Sequence, residues 1–123
     1  MKLIFVYNSD GTFASLIKDT AHKLVSPTTY PCNLCRLTYP VAFMDAEWRK
    51  FIESLPYEAF FLHRDEFHRQ YPGQAQVPLP AVFAEDSSGL RVLISHSQIN
   101  EARSIGELMQ HVRHSLANES ALE

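Results

Sequence analysis

Cys32 and Cys35 are the two cysteines of the chain, and they stand at C-x-x-C spacing inside Tyr30-Pro31-Cys32-Asn33-Leu34-Cys35-Arg36-Leu37-Thr38-Tyr39-Pro40. Thiols at this spacing can close a small disulfide ring or give two thiolates to a soft metal ion. A single C-x-x-C is half of a usual zinc signature. Two prolines and two tyrosines fence the pair, as expected of a loop held by packing rather than a free linker. Arg36 beside Cys35 would favour a thiolate, and a helical turn starting at Cys32 would bring its N-terminus next to that sulfur. Pro40 limits such a helix to about two turns, so its effect would be modest.

If the pair binds a metal, the remaining ligands would come from His63, His68, His96, His111 or His114. His111 and His114 would share a helix face at i, i+3. With six histidines in 123 residues such pairings arise by chance, and surface titration is the ordinary fate of each. Asp65-Glu66 and Glu85-Asp86 are adjacent acids in expected turns, read most simply as solvated or capping groups. Ser95-His96-Ser97 flanks an imidazole with hydroxyls, but on an expected strand neighbours point to opposite faces. His63-Arg64-Asp65 matches a kinase catalytic-loop fragment by letters only, since the chain is too short and lacks a glycine-rich loop. No nucleophile elbow, phosphate-binding loop or cofactor-binding motif is found.

The background composition narrows the compartment and the partners. A length of 123 residues is one domain, 1–123, able to bury a core without disulfide staples. Hydrophobic residues make up 46% and charged residues 20%, a globular balance rather than a disordered one. With a net charge of -3 and scattered Lys and Arg, neither nucleic acid nor anionic lipid is an expected partner. The apolar run from Met1 to Tyr7 is too short for a signal-peptide core, and nothing approaches a membrane span. These features predict a cytoplasmic protein, in a compartment where thiols stay reduced. There, two cysteines read as redox-active or metal-binding before they read as a structural bridge.

Residues 2–7 form an apolar, branched and aromatic run expected of a buried central strand. Asn8-Ser9-Asp10-Gly11 is a turn, and Phe13, Leu16, Ile17, Ala21 and Leu24 fall on one stripe of a first helix that ends at Ser26-Pro27. The segment to Met44 reads as loop, with at most a helical turn around Cys32–Leu37. Asp45 caps a helix bearing Trp48, Phe51, Ile52 and Leu55, stopped by Pro56. A strand over 57–62 and a short helix with Phe67 and Tyr71 on one side come next. Strands over 81–84 and 90–95 pair across the Asp86-Ser87-Ser88-Gly89 turn. Ser104 and Glu107 stand at capping-box spacing before a last helix. Its buried stripe is Ile105, Leu108, Met109, Val112 and Leu116, with a frayed tail from Asn118.

Without the cysteine loop and the small helix after it, the order is β-α-β-α-β-β-α, with Leu79-Pro80-Ala81-Val82-Phe83 placing a proline before the third strand. This order resembles the thioredoxin and glutaredoxin superfamily. The resemblance implies a thioredoxin-like three-layer α/β sandwich. Its central mixed four-stranded sheet would be flanked by helices, with the cysteine-containing loop inserted after the first helix. It also implies a cis proline beside the dithiol, Pro80 first and Pro78 second, although a trans proline at a strand start is the ordinary case. The tyrosine-fenced dithiol itself resembles a motif in a group of short bacterial proteins, which implies no activity.

One departure matters. The superfamily's C-x-x-C follows the first strand directly, whereas here Tyr7-Asn8-Ser9-Asp10-Gly11-Thr12 holds no cysteine. A loop after the first helix would lie near that helix's far end unless it folds back over the sheet. The family's activating geometry is therefore not carried over. The first expected function is thiol–disulfide exchange or redox sensing with a protein thiol partner, in which Cys32 attacks, Cys35 resolves and Pro80 orients the partner. The others are a metal site on the same cysteines and a non-catalytic binding module.

Overall fold

The structure is a computed structural model that describes residues 1–9, 32–38 and 44–122. The helix expected over residues 13–24 lies outside them, as do the prolines and tyrosines that fence the cysteines. The described elements begin with β1 (Lys2–Val6), α1 (Asn33–Thr38), α2 (Ala46–Ser54) and β2 (Glu58–Leu62). Then come α3 (Arg64–Gln70), a 3-10 turn (Pro72–Gln74), β3 (Ala81–Asp86), β4 (Gly89–Ile94), α4 (His96–Glu101) and α5 (Ile105–Leu122).

The four strands make one mixed sheet in the order β2-β1-β3-β4, flanked by helices. β1 pairs in parallel with β2 and antiparallel with β3, and β3 pairs antiparallel with β4. β1 is central, and Leu3 to Val6 are all buried, which is why this run is apolar without alternation. Its side chains serve two cores. Leu3, Phe5 and Tyr7 join Val82 and Ile94 of the sheet with Leu34, Trp48, Phe51, Ile52, Ile99, Leu108 and Val112. Ile4 and Val6 face the other way and join Ala81, Phe83 and Phe67 of α3.

A register shift between Val82 and Phe83 makes Val82 oppose Ile94 while Phe83 opposes Val92. Leu93 is the extra residue of this bulge, and Ile94 keeps to the face of Val82. The hairpin closes through Ser87 and Ser88. Asp86 Oδ1 accepts from Ser88 N–H at 2.9 Å and from the Ser88 hydroxyl at 2.6 Å. Gly89 takes a φ of 115° there, a conformation that favours glycine.

Helix starts follow local chemistry. Asp45 caps α2 by accepting from Trp48 N–H at 3.0 Å. Glu66 Oε1 accepts from His63 N–H at 2.9 Å at the head of α3, and Ser104 Oγ accepts from Glu107 N–H at 3.2 Å at the head of α5. The Glu107 carboxylate reaches back to Arg103 N–H rather than to Ser104, one residue earlier than expected of the box.

Two expectations need correction. Ser95-His96-Ser97 is not strand: Ser95 caps α4, accepting from Gln98 N–H while Gln98 Oε1 accepts from Ser95 N–H. The reciprocal bonds end β4 and start a helix. The tail from Asn118, expected to leave the helix, is part of α5, which runs to Leu122. Arg91 Nη2 donates to Glu119 at 2.7 Å, while its Nη1 donates to Asp86 at 3.0 Å. That network ties the last helical turns to the β3–β4 hairpin. Among the described residues, no helix is long and apolar enough to cross a membrane.

Candidate functional site around Cys32

The end of the sheet where β1 and β2 finish and β3 begins collects the candidate residues. Val6 pairs with both Leu62 and Ala81, so the chain just after β1, the chain just after β2 and Pro80 lie side by side. The carboxyl end of adjacent strands is where open α/β sheets usually place their sites. The Leu79–Pro80 peptide bond is cis, and Pro80 is buried.

Cys32 joins this end of the sheet. Asn8 N–H, two residues beyond β1, donates to Cys32 Sγ at 3.3 Å. The segment carrying Cys32 therefore folds back to the end of β1. Cys32 also heads α1: Arg36 N–H donates to its carbonyl at 2.9 Å, closing the first helical turn. The residues after it, read as loop with a helical turn at most, form a six-residue helix.

The Cys32 side chain is fully buried, in the same core as Leu34 and Phe5. Two effects oppose each other at its sulfur. An N–H donor stabilises a thiolate more than a thiol, while burial disfavours the charge. The side chain of Cys35 lies outside the described residues, although its backbone is part of α1.

Residues between and beside the cysteines anchor α1. Asn33 Nδ2 donates to Ile99 O at 2.8 Å and Ala102 O at 2.9 Å, at the C-terminal end of α4. Its Oδ1 accepts from Arg36 Nε at 3.0 Å and Nη2 at 2.6 Å. Both ends of the amide are thus occupied, and Arg36, expected beside the Cys35 sulfur, holds Asn33. Buried Thr38 donates its hydroxyl to Leu34 O at 2.6 Å, and its own carbonyl accepts from Asp45 N–H at 2.7 Å.

On the β2 side, Arg64 N–H donates to Ser9 O at 2.8 Å and Arg64 Nη1 to Asn8 Oδ1 at 3.2 Å. The Tyr7 and His63 rings lie 5.6 Å apart. His63 Nδ1 sits 2.8 Å from Glu66 Oε1. The backbone and side-chain bonds from His63 hold the Glu66 carboxyl below its usual range.

The sheet end thus brings Cys32, His63 and the approach to Pro80 to one region. His111 and His114 lie elsewhere, lining a shallow groove with Glu101, Glu107 and Gln110. His68 sits on α3 and His96 at the first position of α4. Among the described residues, no group of three or more His, Cys, Asp or Glu side chains is arranged to hold a metal ion. Sequence reasoning missed Asn8, Asn33 and Arg64. For Asn33 a signal existed: Ser95-x-x-Gln98 before Ile99 is a capping-box pattern, and it announces the helix whose carbonyls Asn33 binds. Asn8 and Arg64 carry no such signal. Comparison with protein-family models, curated proteins and solved structures returns no match to this chain.

Proposed function

We propose that the chain is a thioredoxin-like protein whose Cys32–Cys35 pair exchanges dithiol for disulfide with a protein partner. The observation that carries this reading is the hydrogen bond from Asn8 N–H to Cys32 Sγ at 3.3 Å. Cys32 lies beside the end of the central strand and at the head of α1, and this proximity supports a role like that of the superfamily's dithiol. The 2-1-3-4 strand order with one parallel pair, and a cis Pro80 ahead of β3, support the same reading.

In the exchange, the Cys32 thiolate attacks one sulfur of a partner disulfide and releases the other as a thiolate. A mixed disulfide remains. The Cys35 thiolate then attacks Cys32 Sγ, closes the intramolecular disulfide and releases the second partner thiolate. The partner gains two electrons and the two protons that the dithiol gives up. With Cys32 buried, the first attack requires the cover over the sulfur to open.

That burial also favours a second reading, in which Cys32 is core and the chain is a binding module without redox chemistry. Thiol counting across a graded dithiol–disulfide buffer separates the two. The redox reading expects a reversible two-electron midpoint in the range of about -270 to -180 mV. Thiols that titrate nowhere in the series, with Cys32→Ser behaving as wild type, would leave the binding module. Stoichiometric zinc in freshly purified protein would instead assign the cysteines to a metal.

A further inference from the structure

We infer that Arg64 is a positioning residue for the dithiol, acting through Asn8 on the Cys32 sulfur; this rests on the redox reading above. Arg64 opens α3, whose Phe67 packs on the sheet face opposite the core that contains Cys32. Among the described residues, the two elements meet around the end of the sheet. There Arg64 grips two successive residues: its N–H holds Ser9 O at 2.8 Å and its Nη1 holds Asn8 Oδ1 at 3.2 Å.

Asn8 stands between that grip and the end of β1. Tyr7 N–H donates to Leu62 O at 2.9 Å, which fixes the chain immediately before Asn8. With Tyr7 tied to β2 on one side and Ser9 tied to Arg64 on the other, the Asn8 peptide plane has one orientation. In that orientation its N–H meets Cys32 Sγ at 3.3 Å. A hydrogen bond to a thiolate is charge-assisted and sensitive to direction. Loosening Asn8 therefore weakens the thiolate without touching either cysteine. Arg64 makes no step of the exchange; it holds the donor that the attacking sulfur uses.

The test uses the full chain carrying Cys35→Ser, so that Cys32 is its one thiol. Asn8→Ala, Arg64→Gln, the double variant and Arg64→Lys are compared by Cys32 thiolate absorbance in the ultraviolet and by the rate of alkylation with iodoacetamide. Each single variant is expected to lower both readouts, the rate about fivefold. The double variant should fall no more than about twofold further, since both changes break one link. Lysine can still donate to Asn8 Oδ1, so Arg64→Lys should recover most of the loss. Arg69→Gln, an exposed change on the same helix, should leave both readouts alone.

Fully additive losses, unchanged readouts, or faster alkylation at unchanged thiolate absorbance would overturn the inference. The last result would mean that Arg64 merely keeps the fold closed. If Arg64→Gln does not fold, Asn8→Ala and Arg64→Lys decide the matter. The wild-type redox titration judges the exchange reading separately, because the alkylation and absorbance comparison does not require a reversible couple.

Discussion

Replacing Asn33 by alanine tests whether the helix carrying the dithiol is held by α4. The substitution removes two N–H donors, to Ile99 O at 2.8 Å and Ala102 O at 2.9 Å, and the acceptor that Arg36 grips at 2.6 and 3.0 Å. Ile99 O keeps the Ala102 N–H as a donor at 3.1 Å, so only part of the acceptor capacity at this helix end is orphaned. Arg36 is partly exposed and can turn to water. Counting about 1 kcal/mol for each bond from Nδ2 and about 0.5 kcal/mol for the Arg36 contact gives a loss of about 2.5 kcal/mol. For a domain of this size that corresponds to about 10 °C in melting temperature, or a urea midpoint lower by about 1.5 M. The assay is equilibrium urea unfolding followed by the fluorescence of Trp48, the one tryptophan of the chain and buried in the same core. Asn33→Asp is the sharper companion. It keeps the Arg36 contact but places a negative charge against helix-terminal carbonyls, so it should be at least as damaging as alanine. A loss below about 0.5 kcal/mol for alanine, or an aspartate variant more stable than alanine, would refute the bridge as described.

Asp45→Ala removes the side-chain acceptor of Trp48 N–H and should cost about 1 kcal/mol in the same assay. Phe67→Ala empties the centre of the smaller core, where Phe67 stacks on Phe83 at 4.7 Å. It should cost about 3 to 5 kcal/mol, and a loss under 1 kcal/mol would mean that the site collapses or is wet. Stability should also depend on acid. Asp86 is lowered to about 2, first by the Ser88 hydrogen bonds and then by Arg91. Glu66 is lowered by His63, and Glu119 by Arg91. Carboxyls depressed in the folded state contribute stability that is present above their unfolded values and lost as pH falls through the folded ones. Urea midpoints should therefore be level above pH of about 4.5 and decline towards pH of about 2. Arg91→Gln should flatten part of that decline; an unchanged slope would remove Arg91 as a cause.

Much of this architecture is legible from local signals. The unbroken apolar run of β1 announces a central strand, and Asp45 announces α2 through a bond three residues long in sequence. The Asp86–Gly89 turn announces the hairpin because Asp86 folds onto Ser88 within itself. α4 was equally local, but the branched run before it drew Ser95 into the strand and masked its capping box. The position of Cys32 was beyond such reasoning. Its contact with Asn8 spans 24 residues in sequence, and no periodicity within that interval states where the chain returns. Asn33 reaches α4 across 66 and 69 residues: the Ser95–Gln98 box announces that helix, but nothing in a window of helical length pairs it with Asn33.

The bulge in the β3–β4 pair has a consequence for how this chain can change by insertion and deletion. Leu93 has no partner opposite it, and Ile94 beyond it lies opposite Val82 on the Cys32 side. α4 begins two residues later and offers its terminal carbonyls to Asn33. Deleting Leu93 would therefore spare the face of Ile94: Phe83 would still oppose Val92 and Val82 would still oppose Ile94, now in unbroken register. The deletion would instead remove the bend and extra twist that the bulge gives the strand, and with them the direction in which the chain leaves toward α4. Shortening at Leu93 should thus shift α4 and its carbonyls relative to Asn33 without turning the strand over.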